Sequence, residues 1–453
     1  MLSQSEDAGS KPSRLFDVSA NAVDEAIRAI PAHQLRAADH DLPQMDPEVS
    51  IDPYRHFGAL RDRRGDVVPY VDGAYGGVRV FNAFGHDLSR PNFCVLGYDT
   101  IRKMVFDKVN FINSGSYGLH TEVQKTDTVT TVNELDGDEH RLTRKLFDLE
   151  VFSRDTLTQL AEETIAPIAA FLTGRIRAML DRGETVDLSR HFALPLLFMS
   201  MARITGAPLD RIGHFVELAE RAFGGPRDLA AAARAVEDLN IFFSDRLAAR
   251  RRSGDLNGSD LMSLMSRAER DGRRFSDEEI VVYCRFLLPG GIETTWRQTA
   301  NMCLALMSHP DQYDQVVADP GLIDQTVEEC CRWLPSGATL PRIAAHDVEL
   351  AGVRVPAGSS MVGLFGIANR DPRIWSDPDR FDIHRQRLTH LTFSMGSHGC
   401  MGQHLARQNL RNALAALIRD LPDIELACDP GELRTTGYVI RCPDAVPVRR
   451  RTT

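Results

Sequence analysis

Cys400 lies in the stretch Phe393-Ser394-Met395-Gly396-Ser397-His398-Gly399-Cys400-Met401-Gly402, a lone thiol among three glycines. The spacing is not that of a disulfide framework, and no second cysteine or histidine falls at the intervals of a closed zinc site. A thiolate in apolar surroundings takes up a proton unless positive charge and backbone N–H donors hold it. Glycines at 396, 399 and 402 let a loop fold tightly and aim such donors at sulfur. Phe393 can cover the sulfur side and limit water. The run Leu405–Leu414 has helical apolar spacing, so Cys400 is expected near a helix N-terminus, whose partial positive charge favours a thiolate. The alternative is a structural cysteine in a Gly-rich turn.

A second constellation is Pro289-Gly290-Gly291-Ile292-Glu293-Thr294-Thr295. Ser276 and Glu279 form a capping-box signature at the start of a helix that should run to about Met307. Proline and glycine in mid-helix cost roughly 3 and 1 kcal/mol relative to alanine, so something must compensate. A kink at a packing contact is one reading.

These two motifs together resemble the cytochrome P-450 family, and most closely its soluble bacterial members of the camphor-hydroxylase type. The resemblance runs from about residue 130 to the end. It implies a mainly α fold with a minor β region and a long helix over the distal face of a haem. The cofactor would be haem b (iron protoporphyrin IX), with Cys400 as its axial thiolate ligand, Gly402 in the ligand loop and Phe393 tuning the iron's potential. The segment from Gly290 would open a groove for dioxygen and water. There Thr294 would donate a hydrogen bond to the oxygen being activated, and Glu293 would help relay protons from solvent. An alcohol beside a carboxyl suits chemistry that needs two protons.

The resemblance also assigns the two propionates, which need cationic or donor partners. His140-Arg141-Leu142-Thr143-Arg144 matches a family helix whose His and Arg both reach them, and spacing of four gives one helix face. Arg342 and His398 stand at the other two propionate positions. Glu329-Cys330-Cys331-Arg332 matches the family's Glu-x-x-Arg, with spacing that lets the two side chains pair. The arginine of Pro378-Asp379-Arg380-Phe381 would complete that structural network. Two decoys, Glu25…Arg28 and His86…Arg90, fit the same patterns; the second is followed by Pro91, which disfavours a helix.

The elements that must position these residues are mostly helical. A polar, disordered start at 1–14 would precede a single domain over 15–453, opening on a short amphipathic helix at 15–31. Gly76–Leu96 reads as extended, including Gly77–Phe81 and Phe93–Leu96. Helical periodicity then dominates from about Asp138 to Trp333, interrupted near 206–208, 224–226 and 253–258. Val348–Gly358 reads as a hairpin, a loop-rich stretch leads to Cys400, and a long helix with a short β-like tail closes the chain.

Composition bounds the function class. The 453 residues carry 43% hydrophobic side chains and a formal net charge of −10, enough for a large core and against general binding of nucleic acid or an anionic membrane. No apolar run has transmembrane length, Met1–Arg14 is unlike a signal peptide, and eight scattered cysteines suit a reducing compartment, so a cytoplasmic location is expected. The resemblance implies a monooxygenase that inserts one atom of dioxygen into a C–H bond; a peroxide-using haem-thiolate enzyme or a haem-based ligand-binding module is the alternative. No dinucleotide-binding fingerprint or Fe–S cysteine cluster is present, so electrons should come from a ferredoxin and its NAD(P)H-fed reductase. Arg141, Lys145, Arg407 and Arg411 could form a basic docking patch. Ala338, Thr339, Leu340, Ile292, Pro289 and the stretch around Phe111–Leu119 would line an apolar pocket for a neutral substrate: terpenoid, alicyclic or alkyl-aromatic, with fatty acids and steroids as rivals.

Overall fold

The hydroxyl of Ser276 accepts from the Glu279 N–H at 3.1 Å, and the Glu279 carboxylate accepts from the Ser276 N–H at 2.8 Å. This reciprocal cap opens a helix that runs from Asp277 to Met307 without a break, roughly 46 Å at 1.5 Å per residue. The computed structural model describes residues 49, 51–69, 90–116, 129–206, 218, 229–337, 339–386, 389–437 and 440–452. The expected helix at 15–31, the polar start at 1–14, the extended run at 77–81, both decoys apart from Arg90, and parts of the expected substrate-facing stretches lie outside these residues.

Eight helices position the site: α1 Tyr98–Phe106, α2 Gly137–Leu146, α3 Ala166–Asp181, α4 Leu194–Thr205, α5 Leu229–Ser253, α6 Asp277–Met307, α7 Ile323–Trp333 and α8 Gln403–Asp420. Helix α6 is the axle. It packs against α4, α5, α7 and α8, and from Trp296 to Leu306 almost every side chain is buried, including the polar Gln298, Thr299 and Asn301, whose hydrogen bonds to backbone carbonyls compensate their burial. Gly291 explains part of the mid-helix cost: an added Cβ would come within 2.8 Å of the Met201 methyl, so its absence lets α4 approach.

The strands are β1 Val67–Pro69, β2 Asn92–Val95, β3 Phe111–Ile112, β4 Thr339–Ala344, β5 Val348–Leu350, β6 Val353–Val355 and β7 Ser360–Leu364. One sheet has the order β1-β2-β7-β4-β3, with β2 and β7 parallel and the other pairs antiparallel. The β5–β6 hairpin falls within the expected segment, and Ala351 (φ 50°) and Gly352 (φ 78°) form its tight turn. Val186–Asp187, Ile424–Leu426 and Pro447–Arg450 make a second small sheet. A helical core and a smaller sheet core, the latter built from Phe93, Ile101, Met104, Phe111 and Met361, hold the two parts. No described helix is long and apolar enough to cross a membrane.

Candidate active site at the cysteine loop

The loop before α8 is wound by its own backbone. Cys400 N–H donates to the Phe393 carbonyl at 2.7 Å and Gly399 N–H to the Gly396 carbonyl at 3.1 Å. Ser394 (φ 55°) and Gly396 (φ 72°) take the left-handed conformation that reverses the chain. At Gly396 space is also short, since a Cβ would lie 3.1 Å from the Val105 carbonyl. Gly402 is the N-cap of α8, which places Cys400 two residues before the cap. Its side chain is exposed. The surrounding protein still pushes the thiol pKa up by desolvation, opposed by a backbone hydrogen bond from Gly402 and by the charges of Arg144 and Arg407.

Around this loop the structure gathers the expected cationic and donor side chains. Arg144 on α2 donates Nη1 to the Gly399 carbonyl at 2.6 Å and Nε to Asp148 at 2.9 Å. His140, one turn earlier, stacks on His398 with ring centroids 3.8 Å apart. Burial first, then the charges of His398 and Arg144, lowers the His140 pKa to about 4. His398 Nδ1 meets the Asn113 amide nitrogen at 2.6 Å and its Nε2 lies 3.4 Å from Asp136 Oδ1. An amide nitrogen can only donate, so Nδ1 accepts and Nε2 carries the proton toward Asp136. Desolvation lowers the His398 pKa, with the Asp136 hydrogen bond opposing and the nearby Arg342 charge adding. Arg342, buried on β4, donates Nη1 to the Pro341 carbonyl at 2.7 Å. His140, Arg144, Arg342 and His398 thus converge beside Cys400.

On α6, Gly290 and Thr294 are exposed while Leu288, Ile292, Thr295 and Trp296 are buried. The Thr294 hydroxyl donates to the Gly290 carbonyl one turn back at 2.9 Å, and the Thr294 carbonyl accepts from Ser336 Oγ at 2.7 Å. Glu293 is ion-paired with Arg297, whose guanidinium lies 4.5 Å over the Trp296 ring. The pair expected for proton delivery is therefore adjacent in sequence, with its acid anchored to a cation one turn further on.

The Glu329–Arg332 pair forms as expected, at 2.7 and 2.8 Å, both side chains buried. Its third member is not Arg380. That side chain is exposed, and Arg380 contributes its carbonyl, which accepts from Arg332 and Arg385. The guanidinium that reaches Glu329, at 3.1 Å, belongs to Arg385. Arg380 precedes the buried Phe381 and its side chain is directed to solvent, while that of the later Arg385 reaches back to Glu329. The expected basic patch is also corrected. Arg141, Lys145, Arg407 and Arg411 each pair with a carboxylate, Asp138, Asp271, Glu328 and Asp324 respectively.

Sequence reasoning missed Asn113 and Asp136, which hold His398, and Glu328, which holds Arg407 over Phe393 at 4.3 Å from the ring centroid. Only Glu328 left a signal, as the first acid of the doublet preceding Arg332. The donor set fits a dianionic planar cofactor with a soft axial ligand. His140 Nε2 is buried without a hydrogen-bond partner, it sits among three further cationic or donor side chains, and a Cβ on Gly290 would meet nothing within 4 Å. An orphaned buried donor of this kind calls for an acceptor.

The family model described as Cytochrome P450 matches residues 226–422. The cytochrome P450 monooxygenase PikC of Streptomyces venezuelae is 32% identical over 419 residues, covering 91% of this chain and 94% of that protein. A steroid C26-monooxygenase of Mycobacterium tuberculosis is 31% identical over 314 residues, covering 68% and 82%. The solved structure of CYP108D1 from Novosphingobium aromaticivorans superposes with a TM-score of 0.77 at 27% identity, over 94% of this chain and 99% of that one.

Proposed function

The chain belongs to the cytochrome P450 family and is a haem-binding monooxygenase, and from that premise we propose the residues, electron source and substrate class that it uses. Bound haem supplies the iron at which dioxygen is activated for insertion of one oxygen atom into a C–H bond. Cys400 holds that iron. The observation that carries this assignment is an exposed thiol two residues before the N-cap of α8, in a loop wound by its own backbone and held by Arg144 at the Gly399 carbonyl; since desolvation by the protein raises its pKa, the charge of the iron itself would be what keeps it a thiolate. His140, Arg144, Arg342 and His398 would hold the propionates, and since a carboxylate only accepts, the unpartnered His140 Nε2 would serve as the tautomer that carries its proton there.

Thr294 is the proton-delivering hydroxyl. Its single proton rests on the Gly290 carbonyl, which leaves the oxygen on the exposed face of α6 to accept from water, and delivery onward requires the hydroxyl to turn away from that carbonyl. Glu293 is the link to solvent, moving between Arg297 and water. A ferredoxin supplies the electrons, and a neutral apolar compound such as a terpenoid, alicyclic or alkyl-aromatic is the substrate. The expected Ile292 does not share in that lining, because two residues from Gly290 and Thr294 it faces the other side of α6 and is buried in the helical core, whereas Leu340 on the strand of Arg342 supports an apolar lining. Such a lining discriminates weakly, by about 1–3 kcal/mol per methylene. The single-domain arrangement of 15–453 and the cytoplasmic location belong to the same proposal.

The test is dioxygen uptake with NAD(P)H, ferredoxin reductase, ferredoxin and compounds preselected by their low- to high-spin shift. Uptake coupled to product is expected. Turnover with peroxide alone would support the peroxide-using alternative, and a spin shift given only by charged compounds would exclude the apolar pocket.

A further inference from the structure

Ser336 lies in the short connection between α7 and β4, buried, with each of its polar groups engaged. Its hydroxyl donates to the Thr294 carbonyl at 2.7 Å. Its N–H donates to Gln298 Oε1 at 2.8 Å, and its carbonyl accepts from the Arg441 N–H at 2.7 Å. Gln298 stands one turn after Thr294 on α6 and donates Nε2 to the Cys330 and Leu334 carbonyls at 3.4 and 3.2 Å. Asn301 donates to the Leu334 and Arg441 carbonyls at 3.0 and 3.1 Å. Helix α6, the end of α7 and the chain at Arg441 are thereby joined at one buried point, and that point holds the backbone of Thr294. Buried polar networks of this kind fix one geometry.

A carbonyl inside a helix already serves the N–H four residues on, so it does not need a second donor. Side-chain donors at helix carbonyls act instead on geometry, bending or fixing the turn they reach. Three of them meet within a short span of α6: Thr294 Oγ1 at the Gly290 carbonyl, Arg297 Nη1 at the Glu293 carbonyl (3.1 Å) and Ser336 Oγ at the Thr294 carbonyl. Of these donors only Ser336 comes from outside α6, so only it fixes the Thr294 peptide against another part of the molecule. That part leads into β4, which begins at Thr339 and carries Leu340 and Arg342. To deliver a proton the Thr294 hydroxyl must leave the Gly290 carbonyl, and where it then points depends on the peptide that bears it. We infer that Ser336 is a positioning residue for proton delivery. It holds the Thr294 peptide so that rotation about Cα–Cβ alone carries the hydroxyl from its resting carbonyl to the oxygen being activated. This rests on the reading of Thr294 as the delivering hydroxyl. A misplacement of about 1 Å at such a group can cost on the order of a hundredfold in rate.

The test compares product formed per NAD(P)H consumed in the haem-loaded parent, Ser336→Ala, Ser336→Thr and Thr294→Ala. Electrons come from a [2Fe–2S] ferredoxin with its reductase. The probe is the member of a terpenoid and alkyl-aromatic panel that gives the parent its largest low- to high-spin shift. Ser336→Ala should lower the ratio at least threefold, with the balance appearing as hydrogen peroxide. Its half-saturation in the spin-shift titration and its reduced-carbon monoxide Soret band should match the parent's. Ser336→Thr keeps the donor and should retain at least half of the parent's ratio. A parent-like ratio in Ser336→Ala, beside an uncoupled Thr294→Ala, overturns the positioning role and leaves the Thr294 reading standing. Equal uncoupling in both Ser336 variants, or loss of the spin shift along with the coupling, also overturns it, since the hydroxyl would then not be what acts on delivery. A parent-like ratio in Thr294→Ala overturns the Thr294 reading, and the role of Ser336 with it.

Discussion

The Thr294 hydroxyl rests on a carbonyl of its own helix, a bond that any threonine four residues past a helical carbonyl can make. Stability therefore depends little on it, and Thr294→Ala should change the unfolding free energy by less than about 0.5 kcal/mol. Its loss should appear in chemistry. The variant is expected to consume NAD(P)H and dioxygen at a rate close to the parent while releasing most electrons as hydrogen peroxide; a ratio of product to NAD(P)H equal to the parent's would remove Thr294 from proton delivery. Asp136 illustrates the opposite case, a residue invisible in the sequence. Burial acts to raise its pKa, but the hydrogen bond with His398 and the N–H groups of Ser114 and Asn113 outweigh this, and the net shift is downward. A carboxyl with a lowered folded pKa adds stability above its unfolded value and loses it as pH falls through the folded one. Asp136→Asn should thus cost about 2 kcal/mol at pH 7, with the gap from the parent closing below about pH 4. Urea unfolding at the two pH values measures it, and a gap independent of pH would contradict the assignment.

At the scale of elements, what periodicity and capping encode was legible, and what depends on where a loop turns was not. Ser276, Glu279 and the apolar run to Met307 specify α6 to both ends because each signal is local. The β5–β6 hairpin and the start of α8 were readable for the same reason. The Glu329 network was half legible: the Glu329–Arg332 spacing is helical geometry, but its third arginine sits in irregular chain, where sequence distance says nothing about direction. That distinction can be measured. Arg385→Ala removes a side chain that is 9% exposed and bonded to Glu329, and should cost about 3 kcal/mol with loss of haem on purification. Arg380→Ala, at an exposed position, should stay within about 0.5 kcal/mol of the parent. Equal effects at the two positions would restore Arg380 to the network.

For the whole molecule, the motifs from residue 130 onward made the family legible in the sequence, because an iron ligand, a propionate clasp and an oxygen groove each demand residue types that composition alone rarely places together. Surface properties were less legible. An acidic chain of net charge −10 offered four arginines and lysines as a docking face, yet each proved to have a carboxylate within ion-pair distance, and pairing of that kind depends on neighbours far apart in sequence. The central claim is that Cys400 is the iron's axial thiolate. Its most direct test is the absorption spectrum of the dithionite-reduced, carbon monoxide-treated protein, comparing the parent with Cys400→Ser. The parent should show the strongly red-shifted Soret band of a thiolate-ligated adduct and the variant should lack it, whatever haem it retains. Persistence of that band in Cys400→Ser would mean that another group holds the iron.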